Sequence, residues 1–179
     1  MEHKIIVFGG TGDVGQVIVQ KLLDKGQDVY VLTRQTMEAK PRLSYKVGNV
    51  LDITTIEQII GQDDKIIVSL GFNNSRLDTM SKGTANIISA MKKNGAKRLV
   101  SISAQGAGDS WSYMPDEFKK MVLNDTTLKA SFHDHGIQEE LVKNSNLEWT
   151  IVRPTEITGE IEKATFTKNR PSENSIFQI

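Results

Sequence analysis

Short apolar runs alternate along this chain with longer stretches in which apolar residues recur every three or four positions. Ile5–Phe8 (IIVF) is unbroken and bounded by glycine, the pattern of a strand buried on both faces. Val14, Val17, Ile18, Leu22 and Leu23 then recur at helical spacing until Gly26, and 29–32 (VYVL) reads as a second strand. A polar loop with Pro41 leads to a short third strand over 43–47. Asp52 or Thr54 caps a helix to about Ile60, with Ile53, Ile56, Ile59 and Ile60 on its inner face. The run 65–70 (KIIVSL) is a fourth strand. A long helix over 78–94 follows, with Met80 and Met91 as core filler and Gly95 as its stop. A fifth strand lies at 98–101 and a sixth at 147–153, closed by Pro154. Between them 116–129 reads as helix, and a second helix is expected to begin near Ser131, where the serine and acid spacing resembles a capping box. The weak alternation over 160–179 suggests a hairpin or an extended strand. Strands alternating with helices imply an α/β fold with a mostly parallel sheet.

The first strand, helix and second strand span about thirty residues, with Gly9, Gly10, Gly12 and Gly15 at the first turn. Glycines there let the backbone bend tightly and approach a pyrophosphate, and Gly15 lets the helix pack closely on the strand. The helix N-terminus near Gly12 and Val14 offers unpaired N–H groups and a positive dipole end, and Thr11 adds a hydroxyl. Asp13 is a discord beside a phosphate; its side chain is expected to face solvent while its N–H faces the ligand. The alternative is a tight turn that binds nothing. At the end of the second strand stands Thr33-Arg34, with no acid until Glu38. An acid there accepts from the ribose 2′-OH of NAD, whereas a basic residue suits the 2′-phosphate of NADP, so NADP(H) is preferred over NAD(H).

Three later positions complete the candidate site. The loop after the third strand flanks the adenine in nucleotide folds, where Asn49 can bond the base edge and Val50 cover its face; an ordinary turn is the alternative. Ser103 stands at the carboxyl end of the fifth strand, near the place of a nicotinamide ring. It is the first candidate catalytic residue. The second is His135, as proton donor or substrate contact, although a polar residue near a helix end is the more common outcome. His135 and Glu139 share a helix face, but no third ligand is suggested nearby, and no metal site is expected. Trp111 and Tyr113, in the glycine-rich 106–113, either cover a bound ring or tuck into the domain.

Composition narrows the partners. With 22 basic and 22 acidic residues in 179 and no basic stripe, nucleic acid and anionic membrane are not expected as partners. The absence of cysteine excludes disulfides and thiol chemistry. No run is long enough for a signal peptide or a membrane span, so a cytoplasmic location is expected. The length suits one domain.

The phrases IIVFGGTGDVGQ, VYVLTR, GNVLD, LVSISAQG and EELVKNSNLEWTIVRP resemble, in order and spacing, the atypical branch of the short-chain dehydrogenase/reductase superfamily. They are most similar to the small NAD(P)H-binding group containing flavin reductase/biliverdin-IXβ reductase and NmrA-like proteins. The resemblance implies a single Rossmann-type domain over 1–179: a doubly wound parallel sheet in three αβα layers, strand order 3-2-1-4-5-6. It places Gly9, Gly10, Thr11, Gly12, Asp13 and Val14 at the pyrophosphate, Arg34 at the 2′-phosphate, and Asn49 and Val50 at the adenine. Leu70 and Gly71 fall at the ribose, and Ser103 and Pro154 near the nicotinamide. The superfamily's Tyr-x-x-x-Lys pair is absent, since Tyr113 is followed four residues later by Glu117. Relatives carry a further strand and at least one helix on the substrate side. Residues 155–179 are therefore expected to form only part of that extension, in a chain either naturally short or missing a tail. The implied activity is NADPH-dependent hydride transfer to a flavin, quinone or similar conjugated acceptor. The alternatives are an NADP(H)-sensing regulator of NmrA type without turnover and an epimerase-like enzyme.

Overall fold

The computed structural model describes residues 4–72, 76–155, 167–168 and 175–178. Its centre is a sheet of eight strands in the order β3-β2-β1-β4-β5-β6-β8-β7. The first six are β1 (Ile5–Phe8), β2 (Val29–Thr33), β3 (Leu43–Val47), β4 (Lys65–Val68), β5 (Arg98–Ile102) and β6 (Glu148–Arg153), all parallel. β8 (Ser175–Gln178) adds to β6 in parallel, and β7 (Thr167–Lys168) pairs antiparallel with β8. The backbone at the end of the chain thus joins the sheet as a strand with a hairpin-like partner. The rest of the expected 155–179 extension, apart from Thr155, lies outside the described residues.

The continuous apolar runs follow from burial on both sides. In β1, Ile6 and Phe8 point into one core and Val7 into another, and all three are fully buried. One face is covered by α1 (Asp13–Asp24), whose Ile18, Val19, Leu22 and Leu23 meet Val7, Val29 and Val31. The other is covered by α2 (Ile53–Ile59), α3 (Thr79–Asn94) and α5 (Thr126–Lys143), around Ile56, Ile87, Met91 and Val142. Met80 and Met91 are completely buried core residues. The result is a three-layer, doubly wound Rossmann-type domain.

The helix ends were largely written in the sequence. Asp52 accepts from the Thr54 N–H at 3.0 Å and starts α2, while Gly95, at φ +84°, ends α3 in the left-handed conformation. The region between β5 and β6 differs from expectation. A short 3₁₀ helix covers Gly108–Tyr113, α4 stops at Asn124 (Asp116–Asn124), and α5 begins at Thr126 rather than near Ser131. The reason is Asp125: its Oδ1 accepts from the N–H groups of Thr127 and Leu128 at 2.8 and 2.9 Å, satisfying the first turn six residues earlier than the serine would. Ser131 and Asp134 therefore lie inside one continuous helix. Asp134 caps a different one, since its Oδ2 accepts from Met80 N and Ser81 N at the start of α3, at 3.0 and 3.3 Å.

Candidate cofactor site

β1 and β4 are neighbours, yet the chain leaves them in opposite directions along the sheet, toward β2 and toward β5. This is the topological switch point, where a crevice opens at the carboxyl ends of the strands. The loops from the two strands meet there. Ser69 N donates to Phe8 O at 2.8 Å, and a Cβ on Gly9 (φ +84°) would lie 2.2 Å from Ser69 O. A Cβ on Gly15 would stand 2.0 Å from Gly9 O, so α1 rests on the turn itself. These two glycines are demanded by the fold.

Gly12 is different. A Cβ there would meet only Gly9 O, at an ordinary 3.5 Å, so packing does not require glycine. Gly12 is also the N-cap of α1, and no side chain caps that helix. The first-turn N–H groups, those of Asp13 and Val14 among them, have no intrahelical acceptor and stand at the positive end of the helix dipole. Gly71, in the loop after β4, is likewise open, with nothing among the described residues within 4 Å of a Cβ. Two glycines unneeded by the fold flank a helix start without a cap. The residues present therefore fit a phosphate-bearing dinucleotide.

The other expected residues follow the carboxyl ends of the parallel strands. Thr11 and Asp13 are exposed, and the Thr11 carbonyl accepts from Gln16 Nε2 at 2.8 Å, bracing the turn. Arg34 is exposed one residue beyond β2. Asn49 accepts from Leu51 N through Oδ1 at 3.0 Å, which fixes its turn and leaves its Nδ2 amide as the group available to a base. Val50 packs inward, near the position of a Cβ on Gly83, and Leu70 lies against the same spot. Pro154 follows β6 directly, and its carbonyl accepts from Gln105 N at 2.9 Å.

Ser103 and His135 are placed in ways their spacing does not reveal. Ser103 follows the last residue of β5 and is buried; its Oγ donates to Glu139 Oε1 at 2.7 Å. His135 lies within α5 rather than at its start, with Nδ1 3.2 Å from Gln138 Oε1. Glu139, on the same helix face, is engaged by Arg153, with Arg153 Nε 2.8 Å from Oε1 and Nη2 2.5 Å from Oε2. Arg153 Nη2 also reaches Asp109 Oδ1 at 2.5 Å, and Lys143 Nζ lies 3.3 Å from Asp109 Oδ2 and 3.6 Å from Glu139 Oε2. Two acids and two bases thus join the ends of β5 and β6, α5 and the 3₁₀ helix. Sequence reasoning missed this network. Its signal is Arg153 itself, two residues beyond Ile151 and four beyond Trp149 on the same inward face of a strand, where a buried acid must meet it. Trp111 tucks inward, with ring centroids 6.3 Å from Phe118 and 6.5 Å from Phe132, while Tyr113 is 84% exposed.

A family model for NAD(P)H-binding proteins matches residues 9–176, and the chain belongs to that family. Among curated relatives it is 29% identical over 171 residues to an uncharacterized chloroplastic protein of Arabidopsis thaliana, covering 84% of this chain and 58% of that protein. The chain therefore spans little more than half the length of that relative. Among solved structures, ChuY of Escherichia coli O157:H7, described as an anaerobilin reductase, superposes with a TM-score of 0.73 at 16% identity, over 98% of this chain and 95% of that one. A short-chain dehydrogenase/reductase of Veillonella parvula in complex with NADP gives 0.72 at 17% identity, over 98% and 82%. At such identities the likeness is one of fold. No described helix is long and apolar enough to cross a membrane.

Gly15→Ala should lower the melting temperature, since overpacking of this kind costs typically about 1–3 kcal/mol. Gly12→Val should melt close to wild type yet bind NADPH more than about tenfold less tightly by calorimetry, roughly 1.4 kcal/mol. A third prediction concerns pH. Burial holds the His135 pKa below its ordinary 6.5, against the opposing pull of Gln138, Glu139 and Asp134. The unfolded chain then takes up the proton first, so stability is complete above about pH 6.5 and falls as the pH drops below it, by at most about 1.4 kcal/mol per unit. His135→Asn should flatten that slope in denaturant titrations between pH 7 and pH 5.

Proposed function

We propose that the protein is an NADPH-dependent oxidoreductase that passes hydride to a flavin, quinone or similar planar conjugated acceptor. The observation that carries this reading is a contrast between the two ends of the crevice. The phosphate end is built for a dinucleotide, with open glycines and an uncapped helix start. The reacting end lacks the tyrosine–lysine acid pair, and its serine hydroxyl already donates its hydrogen bond to Glu139. Hydride transfer to a delocalised acceptor suits such a site, because stacking supplies the orientation and water supplies the proton.

In this reading the first-turn N–H groups of α1 hold the pyrophosphate. Arg34 neutralises the 2′-phosphate and gives the preference for NADP(H) over NAD(H). Asn49 and Val50 border the adenine, Leu70 and Gly71 the ribose, and Ser103 and Pro154 the nicotinamide. The cofactor, when bound, supplies two electrons and one proton as hydride. The chain's own part is to orient the ring against the ends of β4, β5 and β6 and to keep the acceptor's far face open to water. Balanced charge and a small-molecule substrate fit a cytoplasmic protein without nucleic-acid or membrane partners.

The decisive assay is anaerobic NADPH oxidation with a panel of flavins and quinones. Turnover supports the reductase; tight NADPH binding with no turnover on any acceptor identifies a sensor instead. Arg34→Ala should weaken NADPH by about ten- to 150-fold, the range of a charge-assisted hydrogen bond, and leave NADH nearly unchanged. Equal losses for both cofactors would remove Arg34 from the 2′-phosphate.

A further inference from the structure

The cofactor reading leaves a cleft of the molecule unused. About 600 Å³ of space opens between α5, α4 and the 3₁₀ helix, walled by Trp111, Leu123, Phe132 and Ile137. That volume suits a small molecule, and such sites are mostly apolar with a few placed polar groups. None of the residues assigned to the dinucleotide lines it. Leu123 and Ile137 remain 54% and 43% exposed, so the apolar flank is open to water. The floor carries a glycine that packing does not explain. Gly136 lies inside α5, where glycine is a poor helix former, and a Cβ there would meet only Gly108 N and Cα, at an ordinary 3.6 and 3.8 Å. Alanine would fit and would strengthen the helix. Glycine keeps the α5 backbone bare where it borders the cleft.

Charge around the cleft is one-sided. Lys129 and His133 stand one turn apart on the face of α5 that lines it. Among the described residues neither side chain has a hydrogen-bond or ion-pair partner. Glu140, the acid of the cleft, already has Lys143 Nζ 3.2 Å from its Oε1. The acid is paired and the two bases are not. We infer that the cleft binds an amphipathic monocarboxylate, its head between Lys129 and His133 and its apolar body over Gly136 against Trp111, Phe132 and Ile137. One ammonium and one imidazole N–H match a single charge spread over two oxygens. Aliphatic and aromatic acids share this chemistry. From Lys129 to Glu140 the cleft follows α5 for roughly 16 Å, at a rise of about 1.5 Å per residue, which accommodates a medium-chain fatty acid or a bicyclic aryl acid. The inference does not rest on the reductase reading.

The test titrates decanoate and 2-naphthoate by calorimetry, each beside its uncharged alcohol, 1-decanol or 2-naphthalenemethanol. Wild type should bind at least one acid more tightly than its alcohol by about ten- to 150-fold, the range of a charge-assisted hydrogen bond. Tighter binding of decanoate identifies an aliphatic ligand, and of naphthoate an aromatic one. The double variant Lys129→Gln, His133→Gln should bind acid and alcohol alike. Gly136→Ala should melt at or above the wild-type temperature, yet bind the acid at least about fivefold less tightly, the low end of an overpacking cost. Saturating NADP⁺ should not displace the acid. Failure of wild type to bind either acid, or to distinguish acid from alcohol, overturns the inference. So does wild-type affinity for the acid in the double variant or in Gly136→Ala. Displacement by NADP⁺ overturns it as well, by placing the acid in the cofactor crevice. A wild-type dimer that Leu123→Glu converts to monomer in sedimentation does the same, since a second copy of the chain then covers the cleft.

Discussion

The contact between Glu139 and Arg153 is the constraint on which the reacting end of this domain depends. Arg153 is the last residue of β6 and only 2% exposed, on the same side of the strand as Trp149 and Ile151. An unpaired guanidinium there would carry a desolvation cost of several kcal/mol, so Glu139 must face it, and that requirement fixes the rotation of α5 against the sheet. Once α5 is fixed, Glu139 receives Ser103 and Asp109 receives the outer edge of Arg153. Such a pair is weak evidence for stability, since apolar residues of similar volume often do as well. Its structural consequence is register, because it ties together four chain segments that no single hydrophobic contact would order.

The phosphate end was legible in the sequence because local rules write it. A buried strand, a glycine turn and an amphipathic helix occupy one contiguous stretch, although the demand on Gly9 comes from Ser69 in the distant β4 loop. Even so, the sequence could not sort those glycines. Gly9 and Gly15 are explained by the close approach of backbone to backbone, Gly12 and Gly71 by the open space beside them. One-dimensional spacing shows all four alike. The strand order 3-2-1-4-5-6, implied by the resemblance to the dehydrogenase/reductase superfamily, is the order of the first six strands.

The reacting end was not legible in the same way. Its network joins Ser103, Asp109, Glu139 and Arg153 across separations of 14 to 44 residues, with Lys143 one helical turn from Glu139, and nothing in the local pattern couples an acid on a helix to a base at a strand end. The start of α5 misled for a smaller reason. Ser131 and Asp134 carry the spacing of a cap, but Asp125 precedes them with a free carboxylate and two N–H groups within reach. A helix takes the first competent cap it meets, and the later one becomes an interior residue with its side chain available for other use.

That other use bears on how the molecule can move. Asp134 holds the first turn of α3 through two N–H groups, and one turn further along Gln138 Nε2 donates to Thr84 Oγ1 at 3.0 Å. Two polar pins of matching spacing thus join α3 and α5 along their common seam. Packed helices ordinarily accommodate strain by sliding a fraction of a turn past each other, at little cost when the seam is purely apolar. Here any slide strips a buried carboxylate of both its donors at once. The two helices behave as a single plate, and whatever adjustment a guest in the crevice demands has to be taken up by the loops at the strand ends.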